Sequence, residues 1–183
     1  MRAFLGISIP EELKPRIMQI QDVFDISDIK FVEKENLHFN LKFFKDLDRD
    51  KVDKLKENLE KVCSQYEPFE VEIKGIGAFP NASYVKVLWL GVTEGHQTFC
   101  ALAESIENLL SNMGFEKEEN YVPHLTLGRV KSGRNKNELL VQMRKYEKVE
   151  AGKMKIDKIT LFESKLSSKG PVYEEVFSVK LMQ

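Results

Sequence analysis

The sequence is short of cysteine and of long apolar runs, and each shortage excludes a class of protein. Cys63 and Cys100 are the only cysteines, and neither belongs to a CxxC pair, so a structural zinc site is not supported. We expect two buried free thiols in a reducing compartment. No apolar run approaches the roughly 18 residues of a membrane helix, and the N-terminus lacks a signal-peptide pattern. We therefore expect a cytoplasmic protein without membrane contact.

An excess of positive charge is also absent. The chain has 28 Lys and Arg against 29 Asp and Glu, for a net charge of −1, which excludes a broadly basic nucleic-acid binder of the histone kind. A local basic cleft remains compatible with these totals. The chain is 42% hydrophobic and 31% charged, which is typical of a globular domain with a real core.

Hydrophobic periodicity predicts a β-α-β-α-β order that recurs once with an additional strand. Strands are predicted over 2–9, 37–44, 69–79, 84–92, 121–130, 153–164 and 172–182, and helices over about 10–24, 51–66, 95–113 and 135–148. No Ser/Gly-rich linker separates the halves, so we expect a single bilobal domain spanning 1–183, with repeat halves of approximately 1–80 and 81–183. The predicted class is α+β: a pseudo-twofold duplication in which two antiparallel-rich sheets surround a central cleft and helices pack outside.

Two of the three histidines occupy matching positions in this repeat. His38 lies in the string LHFNL and His124 in the string PHLTL, each in the second strand of its half. Because strand side chains alternate between faces, His38 shares a face with Asn40, and His124 shares a face with Thr126. A twofold relation between the halves would bring both polar faces to one cleft. The third histidine, His96, has no such context and is predicted to lie at the surface.

Two imidazoles on either side of a phosphorus atom suit the hydrolysis of a cyclic phosphodiester. One imidazole takes a proton from water and the other protonates the departing ribose oxygen, since imidazole titrates near neutral pH. Asn40 and Thr126 would donate hydrogen bonds to the non-bridging oxygens. No acidic residue shares the strand face of either histidine, and a third ligand is not evident, so the pattern does not favour a metal site.

The strings ENLHFNLKFF, YVPHLTLGRV and SSKGPVYE together resemble the two-histidine (2H) phosphoesterase superfamily. The resemblance is to its RNA 2',3'-cyclic phosphodiesterase branch, formerly called 2'-5' RNA ligase, and covers essentially the whole chain. It implies a bilobal fold and the opening of 2',3'-cyclic phosphates to 2'-phosphates without a metal ion or a nucleotide cofactor. In some members it also implies the joining of tRNA halves. It also implies that His38 is the proton donor and His124 the proton acceptor. The family usually has threonine at the position of Asn40, so we expect any departure in rate or in ligation to arise there.

Arg129 and Tyr173 each have a functional and a structural interpretation. Arg129 resembles the family's phosphate-contacting arginine, although strict alternation points it away from His124 unless Gly128 introduces a bulge. A solvated or salt-bridged arginine is the alternative. Tyr173 matches a recurring family feature and either lines the cleft as a weak substrate contact or packs in the core.

Lys42 and Phe43, which follow the first motif, also have both a functional and a structural interpretation. Lys42 has the parity of His38 and is a weak candidate for contacting RNA phosphates. Phe43 either stacks on a base or packs in the core, and packing is the favoured interpretation.

The sequence therefore predicts a phosphoric diester hydrolase that acts on RNA 2',3'-cyclic phosphate ends. Its expected partner is an RNA or oligonucleotide with such an end, with tRNA halves as one candidate, and we expect a monomer. Two alternatives remain: a 2'-5' RNA ligase that joins tRNA halves, and a non-catalytic module that binds RNA ends. Asn40 is the only feature of the sequence that favours the non-catalytic module.

Overall fold

Within residues 1–182, which the computed structural model describes, the chain forms nine strands and four α-helices. The strands are β1 (Ala3–Ser8), β2 (Ile29–Phe31), β3 (His38–Phe44), β4 (Phe69–Asn81), β5 (Tyr84–Val92), β6 (His124–Val130), β7 (Glu150–Ile156), β8 (Lys158–Ser167) and β9 (Gly170–Lys180). The helices are α1 (Lys14–Val23), α2 (Val52–Cys63), α3 (His96–Asn112) and α4 (Lys136–Lys145). None of these helices is long and apolar enough to cross a membrane.

The elements follow the predicted order with two differences. The strand predicted over 153–164 is two strands, β7 and β8, which separate at Asp157 because β7 pairs with β4 whereas β8 pairs with β1. The strand β2 was not predicted. It has only three residues, which is too few to display an alternating pattern, and it pairs along β6.

The strands pair antiparallel throughout and join into one sheet in the order β7-β4-β5-β6-β3-β1-β8-β9, with β2 beside β6. The α+β class is therefore confirmed. The expectation of two separate sheets was wrong, because β3 and β6 connect them through one residue pair, Phe39 with Leu125. This connection lies immediately after His38 on one strand and immediately after His124 on the other.

Strands from the two sequence halves are interleaved in this sheet. From the first half, β4 pairs with β5 and β7, while β1 and β3 lie on the side of β8 and β9. A boundary near residue 80 therefore does not divide the sheet into two parts. The pseudo-twofold relation and the bilobal description remain predictions.

Helix packing separates an apolar side of β3 from its polar side. Phe39 is fully buried and its ring lies 5.2 Å from that of Phe99 on α3, so it points away from the face of His38. On α2, Cys63 is fully buried, as expected, because it lies on the face that packs inward. Cys100 is also a free thiol but only partly buried, so the expectation of two buried thiols holds for Cys63 alone.

Candidate active site

His38 and His124 begin their strands and are held in the same way. The Nδ1 atom of His38 lies 2.6 Å from the carbonyl oxygen of Asn36, and that of His124 lies 2.7 Å from the carbonyl oxygen of Val122. Because a carbonyl oxygen only accepts, each Nδ1 is the donor and carries the proton of the neutral ring. Both imidazoles therefore have the same tautomer, which leaves each Nε2 available to exchange a proton.

Aromatic rings pack against the imidazole of His38. The centroid of Phe4 lies 4.5 Å away at a tilt of 32°, and Tyr173 contacts the imidazole edge-on at 5.4 Å. The structure thus places Tyr173 beside the predicted proton donor. Burial raises the pKa of Tyr173, so its phenol is protonated and able to donate a hydrogen bond at neutral pH.

Aromatic rings also surround His124. The centroid of Phe79 lies 4.8 Å from the imidazole, and that of Trp89 lies 5.9 Å away. Trp89 fits because Gly77 lies under its ring: a Cβ at position 77 would come within 2.2 Å of the indole. Glycine at position 77 therefore lets the indole of Trp89 lie against β4, close to His124.

A small cavity separates the two histidines. It has a volume of about 30 Å³ and is lined by Val32, Asn36, His38, Asn40, His124 and Thr126. The four side chains predicted from the two strings are therefore together. This volume is far below the roughly 300–1,000 Å³ of a typical small-molecule site, so a nucleoside would lie over the rim of the cavity.

Asn36 is a member of this site that the sequence did not reveal. Its carbonyl oxygen accepts from His38, and its Nδ2 donates to the carbonyl oxygen of Pro171 at 2.9 Å. Asn36 thereby fixes the start of β9, which carries Tyr173, next to the first histidine. Its position in a short turn gave no signal of that role, because the partner is distant in sequence.

Asn40 has an unsatisfied group in the cavity. Its Oδ1 atom is buried and has no hydrogen-bond partner within residues 1–182. Such an atom costs about 1–3 kcal/mol, and its occurrence at a functional site is expected where a ligand or water completes the bonding. Rotation of the amide would present its two N–H donors to the same place.

Lys42 does not lie at the cavity. The register between β1 and β3 shifts by one residue: Leu5 pairs with Lys42, whereas the next residue, Gly6, pairs with Asn40. Leu41 is left without a partner and forms a β-bulge. The bulge turns Lys42 to the core side, where it is 4% exposed and its Nζ lies 3.1 Å from Glu107. The same amine lies 3.2 Å from Glu118 and donates to the carbonyl oxygen of Glu116 at 2.7 Å. The expectation of a phosphate contact from Lys42 was therefore wrong.

The same bulge brings Phe43 to the face of His38. Phe43 lies opposite Phe4, whose ring contacts His38, and is 42% exposed. The guanidinium of Arg2 lies 5.6 Å from its ring centroid. The favoured interpretation of Phe43 as a core residue was wrong, because strict alternation does not hold across a bulge.

An equivalent bulge in β6 brings Arg129 to the site. Thr126 pairs with Trp89 on β5, and Gly128 pairs with Leu88. The bulged residue is therefore Leu127, one position before Gly128, where we expected the bulge. Arg129 then shares the face of His124. Gly128 matters for another reason: a Cβ there would lie 2.6 Å from the side chain of Ile29, so glycine lets β2 pack against β6.

Both imidazoles favour the neutral form. Burial lowers the pKa of His38 below 6.5, the hydrogen bond to the Asn36 carbonyl opposes this, and the charge of His124 adds to it. Burial also lowers the pKa of His124, against the hydrogen bond to the Val122 carbonyl, and the charge of Arg129 contributes. An anionic phosphate between the rings would raise both pKa values, because it stabilises the imidazolium form.

Tyr121 supports the site from behind and was missed as a functional residue. Its hydroxyl donates to the backbone carbonyl of Asn40 at 2.9 Å, and burial raises its pKa. It lies in the segment that leads into β6, so this bond ties the two histidine strands together. His96, as predicted, is exposed; it lies 3.7 Å from the Sγ of Cys100 through Nδ1. Over residues 1–182 no three His, Cys, Asp or Glu side chains form a potential metal site.

Comparison with known proteins places this geometry in a family. The model of the 2'-5' RNA ligase superfamily matches residues 9–167. The chain is 42% identical over 178 residues to the RNA 2',3'-cyclic phosphodiesterase of Methanothermobacter thermautotrophicus, covering 96% of each chain. It is 42% identical over 176 residues to the protein of the same name from Methanocaldococcus jannaschii, covering 96% of this chain and 98% of the relative.

Solved structures share the fold at lower identity. A crystal structure of a Thermus thermophilus protein matches with a TM-score of 0.81 at 22% identity and covers 99% of this chain and 98% of its own. Escherichia coli LigT in complex with 3'-AMP matches with a TM-score of 0.74 at 19% identity, covering 100% of this chain and 98% of LigT. These likenesses establish the arrangement of strands and helices.

Proposed function

Because this chain belongs to the 2'-5' RNA ligase superfamily, we propose that it hydrolyses RNA 2',3'-cyclic phosphate ends to 2'-phosphates. The observation that carries the proposal is the pair of equivalent imidazoles: His38 and His124 border one cavity, and each has its Nδ1 engaged and its Nε2 available. This is the arrangement that a concerted acid–base displacement at phosphorus requires.

In the proposed reaction, Nε2 of His124 takes a proton from water as the water oxygen bonds to phosphorus. The bond from phosphorus to the ribose 3' oxygen breaks, and Nε2 of protonated His38 supplies that oxygen with a proton. The products are a 2'-phosphate and a 3'-hydroxyl. The positive charge of Arg129 favours the neutral form of His124, as a base requires.

Three side chains are proposed to stabilise the charge that builds on the non-bridging oxygens. Thr126 and Asn40 line the cavity and supply a hydroxyl and an amide, while Arg129 supplies a full positive charge on the same face. Tyr173 is proposed as a further donor to the substrate from the side of His38. No carboxylate of the described residues 1–182 lines the cavity, and both Nδ1 atoms are hydrogen-bonded to carbonyl oxygens. Both features support a reaction without a metal ion.

The test is an assay with adenosine 2',3'-cyclic monophosphate in the presence of EDTA. Chromatography against authentic 2'-AMP and 3'-AMP should show 2'-AMP alone. His38→Ala and His124→Ala should each abolish product, whereas His96→Ala, which removes the exposed third histidine, should keep the wild-type rate. Formation of 3'-AMP, a requirement for added metal, or equal activity of all three variants would contradict the proposal.

Ligation is a second candidate, favoured by the family itself. In it, a 5'-hydroxyl replaces water as the nucleophile, with His124 as its base. Incubating a tRNA half that ends in a cyclic phosphate with a half that begins with a 5'-hydroxyl separates the two activities by product length. The non-catalytic module would behave differently. The wild-type protein would form no product, and the variant without both histidines would still bind RNA ends.

We also propose that the enzyme acts as a monomer in the cytoplasm. His38, Asn40, His124 and Thr126 line one cavity within a single chain, which supports a monomer. The free thiols of Cys63 and Cys100 suit a reducing compartment. Light scattering at assay concentration checks the oligomeric state.

A further inference from the structure

A second and much larger cavity adjoins the active site through Arg129. Its volume is about 600 Å³, and it opens between the ends of β5 and β6, the segment that follows β6, and the start of α4. Arg129 lines it while also acting electrostatically on His124 and Tyr173. Arg129 therefore lies on the border of this cavity and on the sheet face of His124, on which the cyclic phosphate would be opened.

The lining of this cavity is strongly basic. It includes Lys86, Arg129, Lys131, Arg134 and Lys136, and no aspartate or glutamate from residues 1–182 contributes to it. Across the chain as a whole, acidic residues slightly outnumber basic ones, so this local composition is a departure. No ion pair engages these five cations within the described part of the chain. They are therefore available to an anionic partner.

The segment that carries Lys131 and Arg134 is fixed rather than loosely attached. The backbone N–H of Lys131 donates to the carbonyl oxygen of Asp28 at 2.7 Å. At the other end, the side chain of Asn135 donates to the carbonyl oxygen of Ile26 at 2.7 Å. Two anchors to one neighbouring segment hold the backbone that carries these cations, which lowers the backbone entropy lost when a ligand binds.

An exposed aromatic ring completes the surface. Tyr84 lines the cavity, is 57% exposed, and has the ammonium group of Lys86 at 5.3 Å from its ring centroid. Exposed aromatic rings between basic side chains are how proteins bind single-stranded nucleic acid, because each base presents a face for stacking and each phosphate a charge.

We propose that this basic groove, formed by Tyr84, Lys86, Lys131, Arg134 and Lys136, binds the single-stranded RNA immediately 5' of the terminal cyclic phosphate. The inference rests on the proposed function, since Arg129 marks where the groove meets the scissile phosphate. It makes the substrate an RNA strand rather than a mononucleotide. The lysines and arginine bind the backbone phosphates, and Tyr84 stacks on a base of an upstream nucleotide.

The experiment compares two substrates: adenosine 2',3'-cyclic monophosphate and a single-stranded RNA hexamer that ends in a 2',3'-cyclic phosphate. The test protein carries Lys131→Ala and Arg134→Ala together. The matched control carries Lys56→Ala and Lys61→Ala, which removes the same charge from the exposed side of α2. Arg129 is left intact in both, so that the catalytic site is unchanged.

The test variant should lose on the order of tenfold in kcat/KM on the hexamer, through KM, while its kcat/KM on the mononucleotide stays at the wild-type value. The salt dependence of its log KM on the hexamer should flatten by roughly 0.7 for each lost phosphate contact. The control should match wild type on both substrates. Replacing Tyr84 by alanine should raise KM on the hexamer alone.

Equal kcat/KM of wild type and test variant on the hexamer would overturn the proposal. A parallel loss on the mononucleotide would overturn it too, because the substitutions would then act through the catalytic site. An effect confined to ligation would mean that the groove binds the 5'-hydroxyl strand instead. Failure of wild-type protein to hydrolyse either substrate refutes the proposed function, and this outcome is distinct from all the others.

Discussion

Phe39 and Leu125 form the pair that joins β3 to β6, and each directly follows a histidine of the site. Both residues are fully buried, so the pair that connects the two parts of the sheet points its side chains into the core. Alternation then forces His38 and His124 onto the opposite face as neighbours. Hydrophobic burial thus sets the distance between the two proton carriers.

Truncation at this pair should therefore affect both stability and activity. Leu125→Ala should cost about 2–5 kcal/mol of unfolding free energy, because it removes a fully buried side chain. Urea denaturation measures the loss of stability. The kcat measured without urea, where the variant is still folded, should also fall because the two strands shift. Val141→Ala on α4, where the side chain is 63% exposed, should change neither.

The pH dependence of kcat/KM should be bell-shaped and acid-shifted. Activity falls with rising pH as the acid imidazole loses its proton, and burial holds the pKa of His38 and of His124 below 6.5. The alkaline limb of kcat/KM should therefore have its midpoint below about 6.5. In kcat, which reports the complex, the limb should move to higher pH because the bound anion stabilises imidazolium. An alkaline midpoint of kcat/KM above about 7 would contradict the lowered pKa of the acid imidazole.

Arg129→Gln should reduce kcat/KM on the order of a hundredfold by removing a positive charge from the phosphate. It should also shift the acidic limb of the profile to higher pH, because the charge of Arg129 helps to lower the pKa of His124. The exposed Arg144→Gln on α4 is the matched control. If the rate falls without movement of the acidic limb, Arg129 binds substrate but is not electrostatically coupled to His124.

Asn40→Thr should keep kcat within about threefold of wild type or raise it. Threonine restores the hydroxyl found at the equivalent Thr126 and removes the buried, unpaired Oδ1. The free energy of unfolding should not decrease. Asn40→Ala, which offers no donor, should lower kcat at least tenfold, and a collapse of the threonine variant to that level would show that Asn40 does not stand in for threonine.

Lys42→Met should destabilise the protein by about 3–5 kcal/mol, because it leaves Glu107 buried without its partner 3.1 Å away. The double variant Lys42→Met with Glu107→Gln should recover part of the loss. Denaturation of the wild type, the two single variants and the double variant gives the coupling energy between the two residues. Additive effects would show that the two residues do not interact. Mononucleotide KM should change little, since Lys42 does not line the cavity.

The residues of the site were more predictable from the sequence than the sheet that holds them. Each of two strings contains a histidine with a polar residue two positions later. These strings were enough to predict that four side chains line one cavity, as the structure shows. Lys42, Phe43 and Arg129 lie beyond the bulges at Leu41 and Leu127, where strict alternation points each of them to the wrong face. A bulge depends on the register with a partner strand, which a single sequence does not contain.

The carbonyl groups of Asn36 and Val122 also decide what the enzyme is ready to do after each turnover. Hydrolysis leaves the proton on His124 and takes it from His38, so the two rings exchange states while neither changes tautomer. That exchanged pair is set to close the cyclic phosphate again, with a base beside the 3'-hydroxyl and an acid beside the other oxygen. Proton exchange with solvent at the two Nε2 atoms restores the forward state. Because the forward and the exchanged pair carry the same number of protons, their ratio does not depend on pH and follows from the difference between the two imidazole pKa values.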